Sequence, residues 1–574
     1  MKIELACHSG FCMGVRDAIL RIVRELNHSD DEILVYGPLI HNPQTTQILE
    51  TRGLRTVHDL DGIAGKTIAI RTHGITADKL REIKGRAARY YNLTCPKVSR
   101  VQGIIRKYSG MGYYTIIVGD HDHAEVLGLK SYAQAGVSVI SDVQEIPLIP
   151  PAANHLVVSQ TTQDADRFDE IVTGIQARFP GLTVFNTICE STHNRQSDVT
   201  EGVKGGADAL VVVGGRKSAN TQRLAQMGRE YGVKTFHIET EEELLHADFR
   251  NVRKVLVTAG ASTPGWIINN VMERLYDINF RNSFFLVNIP IRLLQFMLRT
   301  NIFSAVTAYF ITAFVQSYAG LVPDRGLCLV SMLYIFSMYT VNNFLEMQWL
   351  LVRNPVKYAL LKRSRYLLLP MAALSLAVSG LVLSSHPWWI GAVYGVSALL
   401  GCVYSTGLIK KAVQLVPVRL ARLVYSEKNI ISSVGWTIAV ALLPLLGRGA
   451  QAPAMIALNA FVFSMILLRY LLLDIIASQG DLILGRQTLP VTIGPRQTQR
   501  LGAIIVVATS LLYAALVLAR GAPIYLYFLV NLVYLGILFV RFPSKSYFFA
   551  LKYEFIVDFN FVVFVALCLA LGIY

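Results

Sequence analysis

The sequence predicts two fold classes in one chain: an α/β domain with mostly parallel sheets, followed by an all-α polytopic membrane bundle. Of the 574 residues, 53% are hydrophobic, more than an ordinary soluble protein carries, and the excess lies after about residue 284. Before that point, short apolar runs alternate with amphipathic segments, which is typical of α/β folds. After it, nine apolar stretches are long enough, or nearly so, to cross a bilayer.

Six short apolar runs in the first half predict strands. These runs are 33–36, 67–70, 115–118, 156–158, 210–213 and 255–257. Between Val15 and Leu26, apolar residues instead repeat at helical spacing. This places Cys12 in the turn before a helix, where the N-terminus favours a thiolate.

Three cysteines, Cys12, Cys95 and Cys189, each follow a strand-like run. The pattern suggests three lobes that each contribute one thiolate to a shared centre. Three thiolates on a metal or cluster leave one position open, which distinguishes a catalytic site from a closed structural one. We expect the first half to lie in the cytoplasm, where metal or redox use of cysteine is favoured over disulfides. A structural or regulatory zinc centre at these cysteines remains an alternative.

Polar residues that follow the predicted strands form a second set of candidates. They lie at His41, at His73, in 121–125, in 159–162, in 218–221 and in 258–262. Because the carboxyl ends of parallel strands meet in one crevice, we expect these residues to converge. His, Ser, Thr and Asn beside glycine turns suit an anionic ligand such as a diphosphate.

The order of these motifs resembles the LytB/IspH family, the 4-hydroxy-3-methylbut-2-enyl diphosphate reductases, over about residues 1–280. The motifs are Gly10-Phe11-Cys12-Met13-Gly14-Val15, His41-Asn42, His73-Gly74, Thr94-Cys95-Pro96-Lys97-Val98, His123-Ala124-Glu125-Val126, Gln160-Thr161-Thr162, Asn194-Arg195-Gln196, Ser218-Ala219-Asn220-Thr221 and Thr258-Ala259-Gly260-Ala261-Ser262-Thr263-Pro264. The resemblance implies a trefoil of three α/β lobes around a 4Fe-4S cluster. It also implies reduction of the hydroxylated diphosphate to isopentenyl and dimethylallyl diphosphate, in non-mevalonate isoprenoid biosynthesis.

The resemblance also implies roles for individual residues. Cys12, Cys95 and Cys189 match the cluster ligands. Glu125 matches a proton donor, and His123 and Thr161 match positions that orient the substrate and proton delivery. The implied substrate-binding residues are His41, His73, His123, Thr161, Ser218, Ala219, Asn220 and Ser262. Because the chain contains no flavin or nicotinamide motif, an external electron donor of the ferredoxin or flavodoxin type is expected.

One position departs from the family pattern. Many relatives carry a second serine where this chain has Ala219, so one side-chain donor is missing. A backbone amide can replace it, and we expect a loss of at most about 1 kcal/mol for one hydrogen bond.

The second half predicts a multi-pass protein of the inner membrane. The nine apolar stretches are 302–321, 328–345, 366–384, 388–408, 430–446, 454–476, 501–518, 524–540 and 555–574. Residues 290–299 resemble an amphipathic helix at the membrane surface, within a joint over 281–301. The predicted domains are therefore 1–280, this joint and 302–574.

The positive charges predict the topology. The loops after the even-numbered spans contain Arg353, Lys357, Lys362, Arg363, Arg365, Lys410, Lys411, Arg419, Arg422, Lys428, Arg486, Arg496, Arg500, Arg541, Lys545 and Lys552. The opposite loops offer only Arg325, Arg448 and Arg520. The even-numbered loops and the first half are thus predicted on the cytoplasmic side. Membrane topology and contact with lipid therefore explain the net charge of +15 better than nucleic-acid binding.

The predicted cytoplasmic loops contain polar clusters that a simple membrane anchor would not need. The candidate residues are Asn342, Asn343, Glu346, Lys357, Lys428, Asp474 and Asp481. Acidic and amide groups suit Mg²⁺, and lysine beside them suits a diphosphate. With Gly485 and Thr488-Leu489-Pro490, the pattern resembles the UbiA superfamily of prenyltransferases, whose Mg²⁺ ionises a prenyl diphosphate.

The resemblance to UbiA proteins is incomplete. The usual first motif is Asn-Asp-x-x-Asp-x-x-x-Asp, whereas this chain has Asn343, Glu346 and Leu350 at the acidic positions. Ser478 replaces an acidic residue of the second motif. Two hypotheses follow for the second half: a prenyltransferase fused to the reductase, or a non-catalytic anchor or lipid-binding module.

Overall fold

The computed structural model describes residues 1–28, 31–281, 285–347, 349–350, 354–405, 428–486, 488–520, 526–542 and 550–570. The chain divides into two compact units, Met1–Asn282 and Ser283–Tyr574. The first is α/β and the second, in its described residues, is helical.

The first unit contains three four-stranded sheets in which every pair of neighbouring strands is parallel. Their orders are β1-β12-β10-β11, β3-β2-β4-β5 and β7-β6-β8-β9. The strands are β1 (Lys2–Leu5), β2 (Ile33–Tyr36), β3 (Leu54–Val57), β4 (Thr67–Ile70), β5 (Arg89–Asn92), β6 (Tyr114–Val118), β7 (Val137–Ile140), β8 (His155–Ser159), β9 (Leu182–Phe185), β10 (Ala209–Val213), β11 (Lys234–Ile238) and β12 (Lys254–Ala259). The prediction of an α/β fold of three lobes with parallel sheets is confirmed.

Nine helices lie between these strands or after the last of them, within the described part of the first unit. They are α1 (Met13–His28), α2 (Pro43–Glu50), α3 (Ala77–Arg86), α4 (Pro96–Gly110), α5 (Ala124–Lys130), α6 (Ala165–Arg178), α7 (Glu190–Lys204), α8 (Ala219–Glu230) and α9 (Gly265–Arg281). Helix α1 buries Val15, Ala18, Ile19, Ile22 and Val23, the stripe that the sequence predicts. Cys12 therefore directly precedes a helix, as predicted.

Central and edge strands differ in their burial. The central strands β2, β8 and β10 are buried along their whole length. The edge strands β3, β7 and β11 are only partly buried, and their sequences lack a continuous apolar run. This is why the sequence predicts the six central strands but misses these three.

In the second unit, the described residues form helices of 4 to 32 residues. They are α10 (Phe285–Arg299), α11 (Ile302–Tyr318), α12 (Arg325–Leu345), α13 (Pro355–Leu383), α14 (Trp388–Ser405), α15 (Lys428–Thr437), α16 (Leu443–Gly447), α17 (Ala452–Ile483), α18 (Leu489–Thr492), α19 (Pro495–Arg520), α20 (Leu526–Arg541) and α21 (Ala550–Ala570). A π-helical segment, Ile438–Leu442, joins α15 to α16.

Five helices in the described residues are long and apolar enough to cross a membrane, and the number is six if one bent pair counts as a single span. The bent pair is Ile289–Arg299 with Ile302–Tyr318, at an angle of 78°. The predicted count of nine spans thus stays a prediction. Several basic residues behind the predicted topology lie outside the described residues: Arg353, Lys410, Lys411, Arg419, Arg422, Lys545 and the side chain of Lys428.

Candidate active site

Each of the three cysteines lies at the N-terminus of a helix that follows an edge strand. Cys12 comes after β1 and precedes α1, while Cys95 and Cys189 are the N-cap residues of α4 and α7. The N–H of Val15 points to Sγ of Cys12 at 3.5 Å. Unpaired N–H groups at a helix start favour negative charge, so all three positions suit a thiolate.

The three cysteines are tied to the neighbouring central strands in the same way. The backbone N–H of Cys12 donates to the carbonyl oxygen of Ala261 at 3.0 Å. The N–H of Cys95 donates to Thr72, and that of Cys189 to Thr161, at 2.9 and 2.8 Å. Ala261 and Thr72 directly precede Ser262 and His73, and Thr161 is itself a predicted site residue. Every cysteine is thus hydrogen-bonded to a segment that carries a predicted substrate-binding residue.

The cysteines also converge in space. A Cβ atom at Gly14 would lie 2.5 Å from Sγ of Cys95, so only glycine lets that sulfur approach the Cys12 turn. Burial raises the pKa of Cys12, and the nearby Cys189 raises it further. Burial likewise raises the pKa of Cys95, with smaller contributions from Cys12 and Cys189. The three thiols are therefore neighbours in the structure, and the shared centre at these cysteines stays a prediction.

The three thiols are a donor set that suits an iron–sulfur cluster. Within the described residues, no group of three His, Cys, Asp or Glu side chains is close enough to hold one metal ion. A zinc ion would need its sulfur ligands at about 2.3 Å. A cluster with several irons spaces its cysteine ligands more widely, and three thiols at helix N-termini are suitable ligands for it.

Three histidines from two lobes lie against one another. The rings of His41 and His73 are 4.9 Å apart, and those of His73 and His123 are 5.5 Å apart. Burial lowers the pKa of His41 to about 4, and the neighbouring His123 ring, Arg71 and Lys217 act in the same direction. Burial also lowers the pKa of His73 and of His123. In the free protein this cluster is therefore neutral near pH 7.

Glu125 is a buried carboxyl group that Thr161 holds through two hydrogen bonds. Its Oε1 accepts the backbone N–H of Thr161 at 2.8 Å, and its Oε2 accepts the Thr161 hydroxyl, also at 2.8 Å. Burial raises the pKa of Glu125 to about 7, although both hydrogen bonds act in the opposite direction. A carboxyl group with this pKa is partly protonated at neutral pH and can serve as an acid.

The lobe built on the sheet β1-β12-β10-β11 places its polar residues against the His41 segment. Oγ of Ser262 donates to the carbonyl oxygen of His41 at 3.2 Å. A Cβ atom at Gly215 would lie 2.4 Å from that same oxygen, so the turn before Ser218 lies directly against the His41 segment. Ser218 is the N-cap of α8 and Ala219 its first residue.

Asn220 has an unusual environment for a buried amide. Its side chain is 5% exposed, yet neither amide atom has a hydrogen-bond partner among the described residues. Buried polar groups in folded proteins are nearly always hydrogen-bonded. Two orphaned amide atoms beside a helix N-terminus indicate a site that a polar ligand completes.

Sequence reasoning missed two arginines of this site. Arg71 contributes to the low pKa of His41, and its Nε donates to the carbonyl oxygen of Gly74 at 3.2 Å. Arg195 is buried between the Cys12 and Cys189 segments. The Arg71-Thr72-His73-Gly74 and Asn194-Arg195-Gln196 motifs contain them, but without tertiary structure a motif does not show which charge faces the site.

In the second unit, the structure connects the two predicted acidic motifs. The first motif contains Glu346, and the second contains Asp474 and Asp481. Nη2 of Arg486 lies 3.1 Å from Oε2 of Glu346, while its backbone N–H donates to the carbonyl oxygen of Asp481 at 2.9 Å. Asp474 and Asp481 lie on the same face of α17, seven residues apart, and Asp481 is fully buried. Arg486 was not among the predicted site residues.

Three further predicted residues of the second unit, Asp474, Asn343 and Lys357, take part in two contacts. Asn429 donates to Asp474 at 2.7 Å. Oδ1 of Asn301 accepts from Asn343 at 3.0 Å and from Nζ of Lys357 at 3.2 Å. Asn301 has a φ of 61°, in the left-handed region, at the sharp bend between α10 and α11. Sequence reasoning missed Asn301 because its role depends on this bend.

Comparison with known proteins assigns the first unit. A family model described as LytB protein matches residues 3–276. The 4-hydroxy-3-methylbut-2-enyl diphosphate reductase of Geobacter sulfurreducens is 39% identical over 279 residues, which are 49% of this chain and 98% of the relative. The chain belongs to the LytB family. The resemblance predicted from the ordered motifs is thereby confirmed.

Solved structures of LytB-family and UbiA proteins are also similar to this chain. A structure of (E)-4-hydroxy-3-methyl-but-2-enyl diphosphate reductase is 34% identical and covers 48% of this chain and 100% of its own, with a TM-score of 0.39. A UbiA homologue from Archaeoglobus fulgidus, bound to GPP and Mg²⁺, is 14% identical and covers 47% of this chain and 98% of its own, with a TM-score of 0.35. This second, distant likeness assigns no activity to the membrane unit.

Proposed function

We propose that the first unit is a 4-hydroxy-3-methylbut-2-enyl diphosphate reductase that takes its electrons from an external donor of the ferredoxin or flavodoxin type. One observation carries the proposal. Each of the three sheets supplies one cysteine after an edge strand, and that cysteine is hydrogen-bonded to a polar segment after the adjacent central strand. This threefold set of contacts supports a redox centre and a polar substrate crevice that would lie side by side.

Cys12, Cys95 and Cys189 would hold a 4Fe-4S cluster. Such a cluster would supply the redox chemistry, by passing single electrons from the donor to the substrate. The protein's own contribution is the position of the three thiols and the polar groups around them.

The substrate's diphosphate would occupy the crevice between the three lobes. Ser218, Asn220 and Ser262 offer hydroxyl and amide donors, and the backbone N–H of Ala219 at the start of α8 adds another. The histidines that are neutral in the free protein become better partners when protonated beside the anion. His123 and Thr161 would then lie between the diphosphate and the reacting end.

Glu125 would supply a proton to the departing hydroxyl group. The overall reaction breaks one C–O bond, forms one C–H bond and releases water, and it consumes two electrons and two protons. Thr161 fixes the carboxyl group through two hydrogen bonds, so the proton is held at a defined position. Burial keeps that proton on Glu125 up to a pH of about 7.

The test uses the full-length chain in detergent. Iron and sulfide are added under anaerobic conditions, the visible spectrum is recorded, and turnover of the hydroxylated diphosphate is measured with an artificial electron donor. We expect a brown protein that produces isopentenyl and dimethylallyl diphosphate and that loses both properties in Cys95→Ala. Cys328→Ala is the control, because Cys328 is buried in the second unit. A colourless protein that binds zinc stoichiometrically would support the zinc centre instead.

For the second unit we propose a UbiA-like prenyl transfer that uses Mg²⁺ and a prenyl diphosphate. The supporting observation is the contact of Arg486 with Glu346, since it brings the two motif loops together. Carboxylates on both loops are then close to basic and amide side chains, as a Mg²⁺–diphosphate site requires.

In this proposal the chain has three parts. Residues 1–280 form the reductase domain, which lies in the cytoplasm, residues 281–301 form a joint, and residues 302–574 form a domain with nine spans of the inner membrane.

Substitution of the acidic residues distinguishes a prenyltransferase from a non-catalytic anchor or lipid-binding module. Glu346→Gln, Asp474→Asn and Asp481→Asn should each abolish Mg²⁺-dependent binding of geranyl diphosphate to the full-length protein. Asp324→Asn is the control, because Asp324 lies at the start of α12, at the end opposite to Glu346. If geranyl diphosphate does not bind to the unaltered protein, or binds equally to all variants, the second unit is an anchor or lipid-binding module.

A further inference from the structure

Arg195 is a buried cation beside two of the three cysteines. The residue is 3% exposed and lies on the second turn of α7, the helix that begins after Cys189. Its guanidinium contacts three separate segments: Nη2 donates to the carbonyl oxygen of Gly10 at 2.5 Å, Nε to Ala259 at 3.2 Å and Nη1 to Ser191 at 2.7 Å. Gly10 begins the turn that carries Cys12.

These hydrogen bonds do not neutralise the charge of Arg195. The acceptors are backbone carbonyl oxygens and the hydroxyl of Ser191, all of which are neutral. In the part of the chain that the structure describes, Arg195 takes part in no ion pair within 4.0 Å. The groups that interact with it electrostatically are the side chains of Cys12 and Cys189 and, more weakly, the carboxylate of Asp198.

A buried charge acts strongly on its neighbours because the local dielectric constant is low. Reduction of an iron–sulfur cluster adds one negative charge to it. A fixed positive charge nearby stabilises the reduced form and raises the reduction potential, which depends on net charge and on solvent exposure. Burial gives the charge of Arg195 a desolvation cost in the free protein. The same burial strengthens the electric field of that charge at the site, because the field is less screened there.

We propose that Arg195 sets the reduction potential of the cluster that Cys12, Cys95 and Cys189 would hold, by placing an unneutralised positive charge between the Cys12 turn and the Cys189 helix. The inference rests on the proposed reductase function. It assigns a role in tuning to a residue outside the predicted substrate-binding set. Arg195 is therefore a positioning and electrostatic residue rather than a catalytic one.

The experiment is a redox titration of the full-length protein, reconstituted anaerobically in detergent and followed by visible absorption and electron paramagnetic resonance. Arg195→Gln keeps an amide donor for the carbonyl oxygens but removes the charge, so its midpoint potential should be more negative than that of the unaltered protein. Arg195→Lys keeps the charge and should stay near the original potential. A purely structural role would lower the melting temperature of both variants and leave both potentials unchanged.

Two charge controls lie on the same helix. Lys204→Gln removes an exposed charge at the far end of α7, about 13 Å along the helix from Arg195, and should not change the potential. Asp198→Asn removes a nearby negative charge and should shift the potential in the positive direction. If Arg195→Gln does not retain its cluster, Asp198→Asn decides, and an unchanged potential there overturns the proposal.

An Arg195→Gln protein with a full complement of iron and sulfide and an unchanged midpoint also overturns the proposal. That result is distinct from failure of the proposed function, in which the unaltered protein itself forms no cluster.

Discussion

The backbone N–H of Cys189 donates to the carbonyl oxygen of Thr161 at 2.8 Å, and the same Thr161 holds both carboxylate oxygens of Glu125. One residue thus connects a proposed cluster ligand to the proposed acid. A displacement of either group would be transmitted to the other through a single backbone position. Glu125 and Thr161 follow the neighbouring strands β6 and β8, so the sheet itself sets their separation.

The first prediction concerns the pH dependence of reduction. The pKa of Glu125 is about 7, and the proton donor is its neutral form. The rate of reductive dehydroxylation should therefore fall as the pH rises through about 7, and Glu125→Gln should remove most of the activity while leaving the visible absorption intact. Initial rates between pH 5.5 and 9, with an artificial donor in excess, check this prediction.

Thr161→Val provides a matched variant for the same group. It removes the hydroxyl hydrogen bond that lowers the pKa of Glu125 but keeps the backbone one. The alkaline limb of the pH–rate profile should therefore move to higher pH. An alkaline limb that stays in place in Thr161→Val would show that another group titrates there.

The second prediction separates binding from stability at Asn220. Because both amide atoms lack partners in the free protein, Asn220→Leu should not lower the melting temperature and can raise the free energy of unfolding by about 1–3 kcal/mol. The same change should weaken binding of inorganic pyrophosphate at least tenfold. Differential scanning fluorimetry and isothermal titration calorimetry measure the two effects.

Asn42→Leu is the control for Asn220→Leu, and the opposite effect on stability is expected of it. Asn42 is also buried, but its Oδ1 accepts the backbone N–H of Thr45 at 2.9 Å and caps α2. Its loss should lower the free energy of unfolding by about 0.5–2 kcal/mol. Equal losses of stability in both variants would contradict the interpretation of Asn220 as a ligand-binding amide.

The third prediction is proton uptake on binding of pyrophosphate. The pKa of His41 lies at about 4 in the free protein, so the residue is neutral at pH 7. A bound anion favours the charged form and raises this pKa, so protons enter the site with the ligand. Calorimetry at pH 7 in two buffers with different ionisation enthalpies should reveal uptake, and His41→Asn should reduce it.

His121→Asn is the control for the histidine cluster. His121 lies only two residues from His123, but it is exposed and contacts Glu145 at 3.0 Å. Proton uptake in this variant should equal that of the unaltered protein. Uptake that is unaffected in His41→Asn would assign the protons to other groups.

The fourth prediction concerns an ion pair in the core of the second unit. Arg469 on α17 and Asp558 on α21 are joined by contacts of 2.6 and 3.1 Å, and their side chains are 3% and 9% exposed. Removal of one partner leaves a buried charge uncompensated, so Asp558→Asn should lower the free energy of unfolding by about 3–5 kcal/mol. The double variant Arg469→Met with Asp558→Leu should be more stable than Asp558→Asn alone.

Arg448→Gln is the control for this ion pair. Arg448 approaches Asp324 at 3.8 Å near the surface, and loss of such a pair should change the free energy of unfolding by less than about 1 kcal/mol. Thermal unfolding of the full-length chain in detergent measures all of these variants. Similar effects of Asp558→Asn and Arg448→Gln would show that burial does not govern the contribution of the pair.

The sequence by itself determined the division of the chain, the parallel α/β character of its first unit and the identity of most candidate site residues. Continuous apolar runs mark the central strands because these are covered on both faces. The ordered motifs around Cys12, Cys95 and Cys189 identify the family, which the comparison confirms. None of this requires knowledge of distances.

Only the tertiary structure decided how these residues act on one another. The sequence does not predict the edge strands β3, β7 and β11, because these strands are half-exposed and lack an apolar run. The raised pKa of Glu125 and the orphaned amide of Asn220 depend on burial, which chain-distant residues provide. Arg195 reaches Gly10, 185 positions away in the chain, and no local pattern predicts such a contact.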